Sequence, residues 1–383
     1  MNDLGDHRPS LLGTGGGIRG SGGGIRAAAI AATLGWVWSR VCVALGFVAA
    51  DVLSGRVSMP HGELHLSQGL LTWDADIYRS IAQGWYGSLP AEVARFFPLF
   101  PWMAQRVAWI PGIDEGAALV LIGNLSALAA GVVLWKLTVE VRGSDDVGIT
   151  AAWMLAVFPS GYILAFGYSE GLVLLLTAAY LLALARRKWL WLAVLGFVLA
   201  LTRPVGILVG APLLVELITK LPKPWYKAVP ALLGPPAGLC AALVWVSRAT
   251  NDFWAPVTIQ RQLRAGWLDP LRASGRAVYK LVTGEWGYAY NVGFLVLFTV
   301  LFVLSIRQKQ PWSWIAFSAA TLVVALSAYN IDSLGRYGLV AVPLVVAAAQ
   351  WADTRRRKVA AITIASGGTV VLTCAAMLGV MVP

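Results

Sequence analysis

Charge is scarce in this chain. Of its 383 residues only 13% are Asp, Glu, Lys or Arg, well below the roughly 25% of soluble domains, which excludes an ordinary soluble globular fold. Cysteine is nearly absent too. Cys42, Cys240 and Cys374 each lie in an apolar segment with no pair at metal-ligand spacing, so neither a disulfide framework nor a cysteine zinc site is expected. Acidic residues number 19 against 30 basic ones, for a net charge of +11. That excess would suit nucleic acid, but the Lys and Arg residues stand mostly in short loops between apolar runs. There they orient a membrane protein, and no nucleic-acid partner is expected. Histidine is limited to three residues. "HGELH" (61–65) sets His61 and His65 four apart without the His-Glu-x-x-His order of zinc proteases, so no metal is expected.

What fills the sequence is hydrocarbon: 58% of residues are hydrophobic and the mean hydropathy is +0.70. Apolar runs of about 17 or more residues, each able to cross a bilayer as a helix, recur along most of the length. The glycine-rich start, "LGTGGGIRGSGGGIR" (12–26), lacks the Gly-Lys-Ser/Thr ending of a phosphate loop and reads as a flexible cytoplasmic tail over 1–26 rather than a signal peptide. Spans follow near 27–50, 116–138, 147–166, 169–185, twice within 189–219, then 228–247 and 291–306. Two more flank "YNIDSLGRY", and a last one runs to Pro383. "FFPLFPWMAQRVAWIPG" (96–112) is too short to span and suits an interfacial or partly embedded helix.

The fold class expected is therefore all-α: one multi-span membrane domain over 27–383, with about eleven transmembrane helices. With the N-terminus inside, every short Lys/Arg-rich loop also falls inside, as the positive-inside rule requires. Localisation follows as multi-pass in the cell membrane. Outer loops 51–112 and 248–290, together with Asp74, Asp76, Glu170 and Asp332, then share the outer face.

"LTWDADIYRSIAQGWYG" (71–87) is a polar, acidic stretch just after the first long apolar run. Its aromatics suit an interfacial belt with solvated aspartates, and they equally suit a site. "TWDADIYRSIAQGWYG" followed by "ARFFPLFP" resembles the first outer loop of the family that includes the second mannosyltransferase of glycosylphosphatidylinositol-anchor synthesis and its bacterial relatives. Downstream, "LIGNLSALAA", "VFPSGYILAFGYSEGLVLLL", "ALTRPVGIL" and "SLGRYGLVAVPL" are similar to further segments of that family, with Phe158 where an Asn is usual.

The resemblance implies a C-type glycosyltransferase fold and an inverting transferase, a mannosyltransferase, that moves sugar from a polyprenyl-phosphate donor to an acceptor hydroxyl. The partners implied are that donor, a lipid, glycan or protein acceptor, and membrane lipids. No cofactor is implied, because the lipid-linked sugar is a co-substrate. By the same resemblance Asp74 is the catalytic residue, and Asp76, at a position the pattern does not fix, is a possible second acid.

A carboxylate can take the acceptor's proton late in the transition state, and the leaving phosphate needs cations rather than an acid. Arg203, Arg336 and Arg79 are the candidates for that phosphate. An arginine in apolar sequence costs at least about 2.5 kcal/mol, so Arg203 and Arg40 must each find a partner, either a lipid phosphate or a structural ion pair. Glu170 suits two roles, capping the next helix or binding substrate. Trp73, Tyr78, Tyr168 and Tyr337 complete the expected substrate-binding set, with Gln260, whose stretch to Trp267 resembles a family Gln-to-Trp segment. The Arg-rich outer loop around them suits an amphipathic surface helix. A transporter or lipid-glycan flippase is the rival reading, since a many-span chain with intramembrane arginine also fits one. No second copy of "WDAD" or "TRPVG" in the other half supports it.

Overall fold

The computed structural model describes residues 22–56, 64–220, 225–263, 268–328 and 331–381. Among them the apolar runs are α-helices and no strand forms. In chain order these are α1 (Gly22–Leu53), α2 (Asp74–Gly84), α3 (Leu99–Val107), α4 (Glu115–Arg142), α5 (Asp145–Val157) and α6 (Glu170–Ala185). Then come α7 (Trp189–Thr202), α8 (Gly210–Thr219), α9 (Val229–Thr250), α10 (Ala255–Leu263), α11 (Pro270–Val282) and α12 (Ala289–Arg307). The last four are α13 (Trp312–Leu326), α14 (Leu334–Val340), α15 (Val342–Trp351) and α16 (Arg355–Met377). Gly22 to Arg26, expected in the tail, form the first turns of α1.

Among the described residues five helices are long and apolar enough to cross a membrane: α1, α4, α9, α12 and α16. Two bent pairs, α5 with the 3-10 segment Pro159–Ala165 (72°) and α14 with α15 (80°), raise this to seven if each counts as one span. The other four expected spans are the shorter apolar helices α6, α7, Pro204–Thr219 and α13. Every expected segment is thus helical in its place, but eleven full-length crossings are not what length and composition give. A helix of 16 residues such as α6 is about 24 Å long, short of the roughly 30 Å of hydrocarbon.

The breaks have local causes. Phe158 precedes Pro159 and is extended (φ −52°, ψ 142°), which stops α5, because the proline ring disfavours the helical region for its predecessor. Arg203 precedes Pro204 and stops α7 in the same way (φ −152°, ψ 147°). Pro343 stands in the first turn of α15 just past the second bend, where its missing N–H costs nothing. Carbonyls freed at the first break are capped: Arg40 Nη2 donates to Leu164 O (2.7 Å) and Asn124 Nδ2 to Ala165 O (3.0 Å). Arg40 also grips Asn124 Oδ1 through Nε (2.9 Å). Its partner is therefore protein, and irregular backbone at this depth is satisfied from within.

Packing sorts the helices into centre and rim. Nearly every α6 side chain is buried, with Tyr180 and Leu174 fully enclosed, the mark of a helix apolar on all sides. By contrast α1, α12 and α16 leave residues such as Ile30, Val48, Val296 and Ile364 exposed, an apolar rim suited to lipid. One end of the bundle gathers ionic contacts: Arg186 with Glu140 (2.8 Å), Lys358 with Asp146 (2.6 Å), and Arg142 on the Lys309 carbonyl (3.2 Å). Several of the basic residues between helices thus make ionic or carbonyl contacts to neighbouring elements, while a separate set of charges gathers around Asp74.

Small residues set the central crossing. A Cβ on Gly171 would stand 2.1 Å from the Gly123 carbonyl oxygen of α4, so α4 and α6 meet backbone to backbone, as small-residue faces allow in membranes. Gly171→Ala is expected to part these helices and cost about 1–3 kcal/mol. Thermal unfolding in detergent measures this, and an unchanged midpoint would contradict the crossing.

Candidate active site

The site starts from a strained residue. Trp73, at the N-terminal boundary of α2, holds φ 56° and ψ −128°, a left-handed setting that costs a non-glycine residue about 1–3 kcal/mol. Three contacts hold it. Its Nε1 donates to the Ala376 carbonyl (3.2 Å), its ring lies 4.0 Å from that of His65, and the His65 backbone N–H donates to Met377 O (3.0 Å). The end of α16 therefore pins the loop ahead of α2. The consequence is the direction of Asp74: its backbone N–H reaches the Tyr168 hydroxyl (3.2 Å), and its carboxylate reaches across 262 residues of sequence to the guanidinium of Arg336.

Around that pair lies a second one. Glu170, the first residue of α6, accepts from Arg203 and lies 3.6 Å from Arg336. Arg336 and Tyr337 are placed by their glycine neighbours, since a Cβ on Gly338 would stand 2.2 Å from the Phe298 ring. This lets α14 press that face on α12. Ser160 Oγ donates to the Gly335 carbonyl (2.8 Å), joining the two bent pairs directly. Tyr78 and Ser169 share a buried hydroxyl hydrogen bond (2.9 Å), and Tyr337 lies under the Arg203 guanidinium, 5.6 Å from ring centroid to carbon.

Side-chain exposure falls from 21% at Asp74 through 14% at Arg203 and 12% at Arg336 to 1% at Glu170. Asp74 is thus the solvent-facing member. Burial pushes its carboxyl up, but the Arg336 guanidinium, helped by Arg95 and Arg203, wins and holds it below the usual carboxylate range. Glu170 Oε2 and Arg336 Nε are buried without a hydrogen bond to the protein, so both ion pairs keep spare bonding capacity.

Of the residues expected at a site, the structure brings together Asp74, Glu170, Arg203, Arg336, Tyr78, Tyr168 and Tyr337. Trp73 lies beside them as a positioning residue. Asp76 and Arg79 are not part of the cluster: they pair with each other (2.6 Å), each about two-fifths exposed, three residues apart on α2. Gln260 lies on α10 without a hydrogen bond among the described residues, and Trp267 lies outside them, as do His61 and Glu63. No group of three metal-ligating residues occurs among the described residues.

Sequence reasoning passed over Ser169 and Arg95, and weighed His65 only as a metal ligand, not as the partner of Trp73. Arg95 ends the 3-10 turn Ala91–Arg95 with its guanidinium 4.7 Å over the Phe96 ring. Its place before "FFPLFP" on the acidic loop was the available signal.

Comparison with known proteins gives one curated relative of note. GPI mannosyltransferase 2 of Yarrowia lipolytica is 34% identical over 125 residues, 32% of this chain and 35% of that protein. The match thus spans about a third of the relative's length, and it agrees with the resemblance carried by the motifs. No family model matches. Two crystal structures of the Archaeoglobus fulgidus oligosaccharyltransferase align with TM-scores of 0.44. One is tethered to an acceptor peptide containing the NVT sequon (13% identity, 90% of this chain and 56% of that one), and the other is complexed with Zn and sulfate (12%, 88% and 53%). Likeness at that score does not define a shared fold.

The Asp74 to Arg336 pair fixes a pH dependence. A carboxyl held low in the folded state adds stability above its unfolded pKa of about 4, and that stability is lost as pH falls through the folded value. The thermal midpoints of native protein and Asp74→Asn should therefore differ most near neutral pH and converge as the buffer is taken below about pH 4. A gap that stays constant on acidification would contradict the pairing.

Proposed function

We propose that the protein is a membrane glycosyltransferase of the inverting kind, which moves mannose from a polyprenyl-phosphate donor to an acceptor hydroxyl on the outer face of the cell membrane. The observation that carries the reading is one carboxylate, Asp74, at the exposed edge of a cluster whose guanidiniums lie behind it. The N-terminus is inside in this reading, and the acceptor is a lipid, a glycan or a protein hydroxyl. No cofactor takes part, and the chain's own side chains do the chemistry.

The chemistry follows from the arrangement. The acceptor oxygen attacks the anomeric carbon while its proton passes to Asp74, and the bond from that carbon to the phosphate oxygen breaks with its electron pair leaving on phosphate. Arg336 and Arg203 meet the charge that develops there, preorganised by Asp74, Glu170 and Tyr168. While Arg336 grips Asp74, the carboxylate is a weak base. A donor phosphate that competes for Arg336 loosens that grip, and burial then raises the proton affinity of Asp74. Base strength thus appears only when the donor is in place.

A transporter or lipid-glycan flippase is the second reading, favoured by the two bent helix pairs, which are the usual places for a transported ligand. Membranes carrying the protein, incubated with radiolabelled polyprenyl-phosphate mannose, separate the two: label should move from donor lipid to a new acceptor. Asp74→Asn should lower that transfer about 10²- to 10⁴-fold, as loss of a general base does, with donor binding retained. Asp76→Asn, on the exposed pair, should cost far less. Equal loss in both, or label that crosses the membrane still on its donor, would sink the transferase reading.

A further inference from the structure

The four charges of the cluster cancel. Asp74 and Glu170 carry one negative charge each, and Arg336 and Arg203 one positive charge each. Arg95 stands beside them with no such balance: among the described residues it has no hydrogen bond and no ion pair. Exposure does not explain this, because the side chain is half-buried and its Nε is enclosed without a partner. Arg106, also stacked on an aromatic ring, is exposed and needs none. Where arginines of this chain are drawn inward, they are held: Arg40 by Asn124 and Leu164 O, Arg203 by Glu170, Arg336 by Asp74. Beyond the longer-range pull of Asp74, a half-buried guanidinium kept without a hydrogen-bonded anion is costly unless one arrives.

Its position is built. The guanidinium lies on Phe96, whose ring meets Tyr78 edge-on at 5.1 Å, and Tyr78 bonds to Ser169, next to Glu170. The backbone turn beneath Arg95 rests on α10. Arg95 therefore belongs to the same wall as the two ion pairs, on the side of Asp74.

We infer that Arg95 binds the phosphate of the lipid-linked donor, as the one guanidinium of the site not already neutralised by a carboxylate. This rests on the transferase reading above. The planar fork of arginine matches phosphate oxygens in two parallel hydrogen bonds. Charge also balances through the reaction. A sugar phosphodiester carries a single negative charge, which Arg95 offsets while the cluster stays neutral. When the acceptor proton reaches Asp74 and the bond from sugar to phosphate breaks, the lipid monophosphate gains charge towards −2. The cluster then becomes positive by one and meets it.

The test uses the full chain in lipid nanodiscs and three probes: polyprenyl phosphate, the neutral polyprenol of equal length, and inorganic phosphate. The native protein should bind the phosphate lipid at least about ten-fold more tightly than the alcohol, in keeping with a charge-assisted hydrogen bond. Arg95→Gln should erase about ten-fold of that preference while leaving alcohol binding unchanged, and Arg95→Lys should restore part of it. Should the Gln variant not accumulate, Arg95→Met is measured in its place by the same ratio. A preference unchanged in the Gln or Met variant overturns the role of Arg95 and leaves the transferase reading standing. Absence of any preference in the native protein overturns both. Inorganic phosphate competing at micromolar concentration would overturn the lipid as the source of the phosphate.

Discussion

The ion pair between Asp74 and Arg336 sets the terms for the rest of the molecule. Two charges drawn from water into an apolar bundle lose hydration worth several kcal/mol each, and only good geometry with further bonds restores it. Asp74 must therefore be aimed at Arg336, and Arg336 must be placed within reach of Asp74 and Glu170 together. The chain meets the demand with two bends, after Val157 and near Ala341, joined where Ser160 donates to Gly335.

Strain and close approach sit where that geometry requires them. Trp73 holds a glycine-like backbone so that α2 opens with Asp74 directed inward, and the end of α16 supplies the contacts that keep it there. Gly171 lets α6 touch the α4 backbone, bringing Glu170 to the centre, and Gly338 seats α14 on Phe298. The same apolar walls that make the charges expensive also strengthen their fields. In the proposed reaction a donor phosphate would meet guanidiniums already oriented, and Asp74 would gain basicity as Arg336 turned to the newcomer.

Much of this was legible in the residues, and what was not has physical reasons. Long apolar runs mark their helices because crossing hydrocarbon leaves few alternatives, and Pro159 and Pro204 mark two of the breaks. Arg203 and Arg40 stood out as charges in apolar sequence, while Asp74, Glu170 and Arg336 were marked by the motifs that carry the family resemblance. Which partner each takes was not marked, because Asp74 and Arg336 are 262 positions apart and no local pattern encodes such a pairing. Arg79 looked as available as Arg336 until its pairing with Asp76 on the exposed face of α2 was visible. Arg40 read as a structural cation ahead of a phosphate ligand, but its partner was not legible. Its answer lay in the carbonyls of a break that hydropathy counts as continuous helix. Length and composition do not by themselves confirm eleven full crossings, because an apolar segment bounded by proline or by the site's own loop scores like a span in hydropathy while its helix is shorter.

The central claim is that donor phosphate takes Arg336 from Asp74 and so makes Asp74 a base. The carboxyl resonance of Asp74, followed by carbon-13 NMR in protein labelled at aspartate and assigned by its loss in Asp74→Asn, reports this directly. Titrated alone, it should show a pKa below the ordinary aspartate value of about 3.9; with saturating polyprenyl phosphate the pKa should rise by at least about one unit. A titration that does not move while the lipid is demonstrably bound would contradict the account.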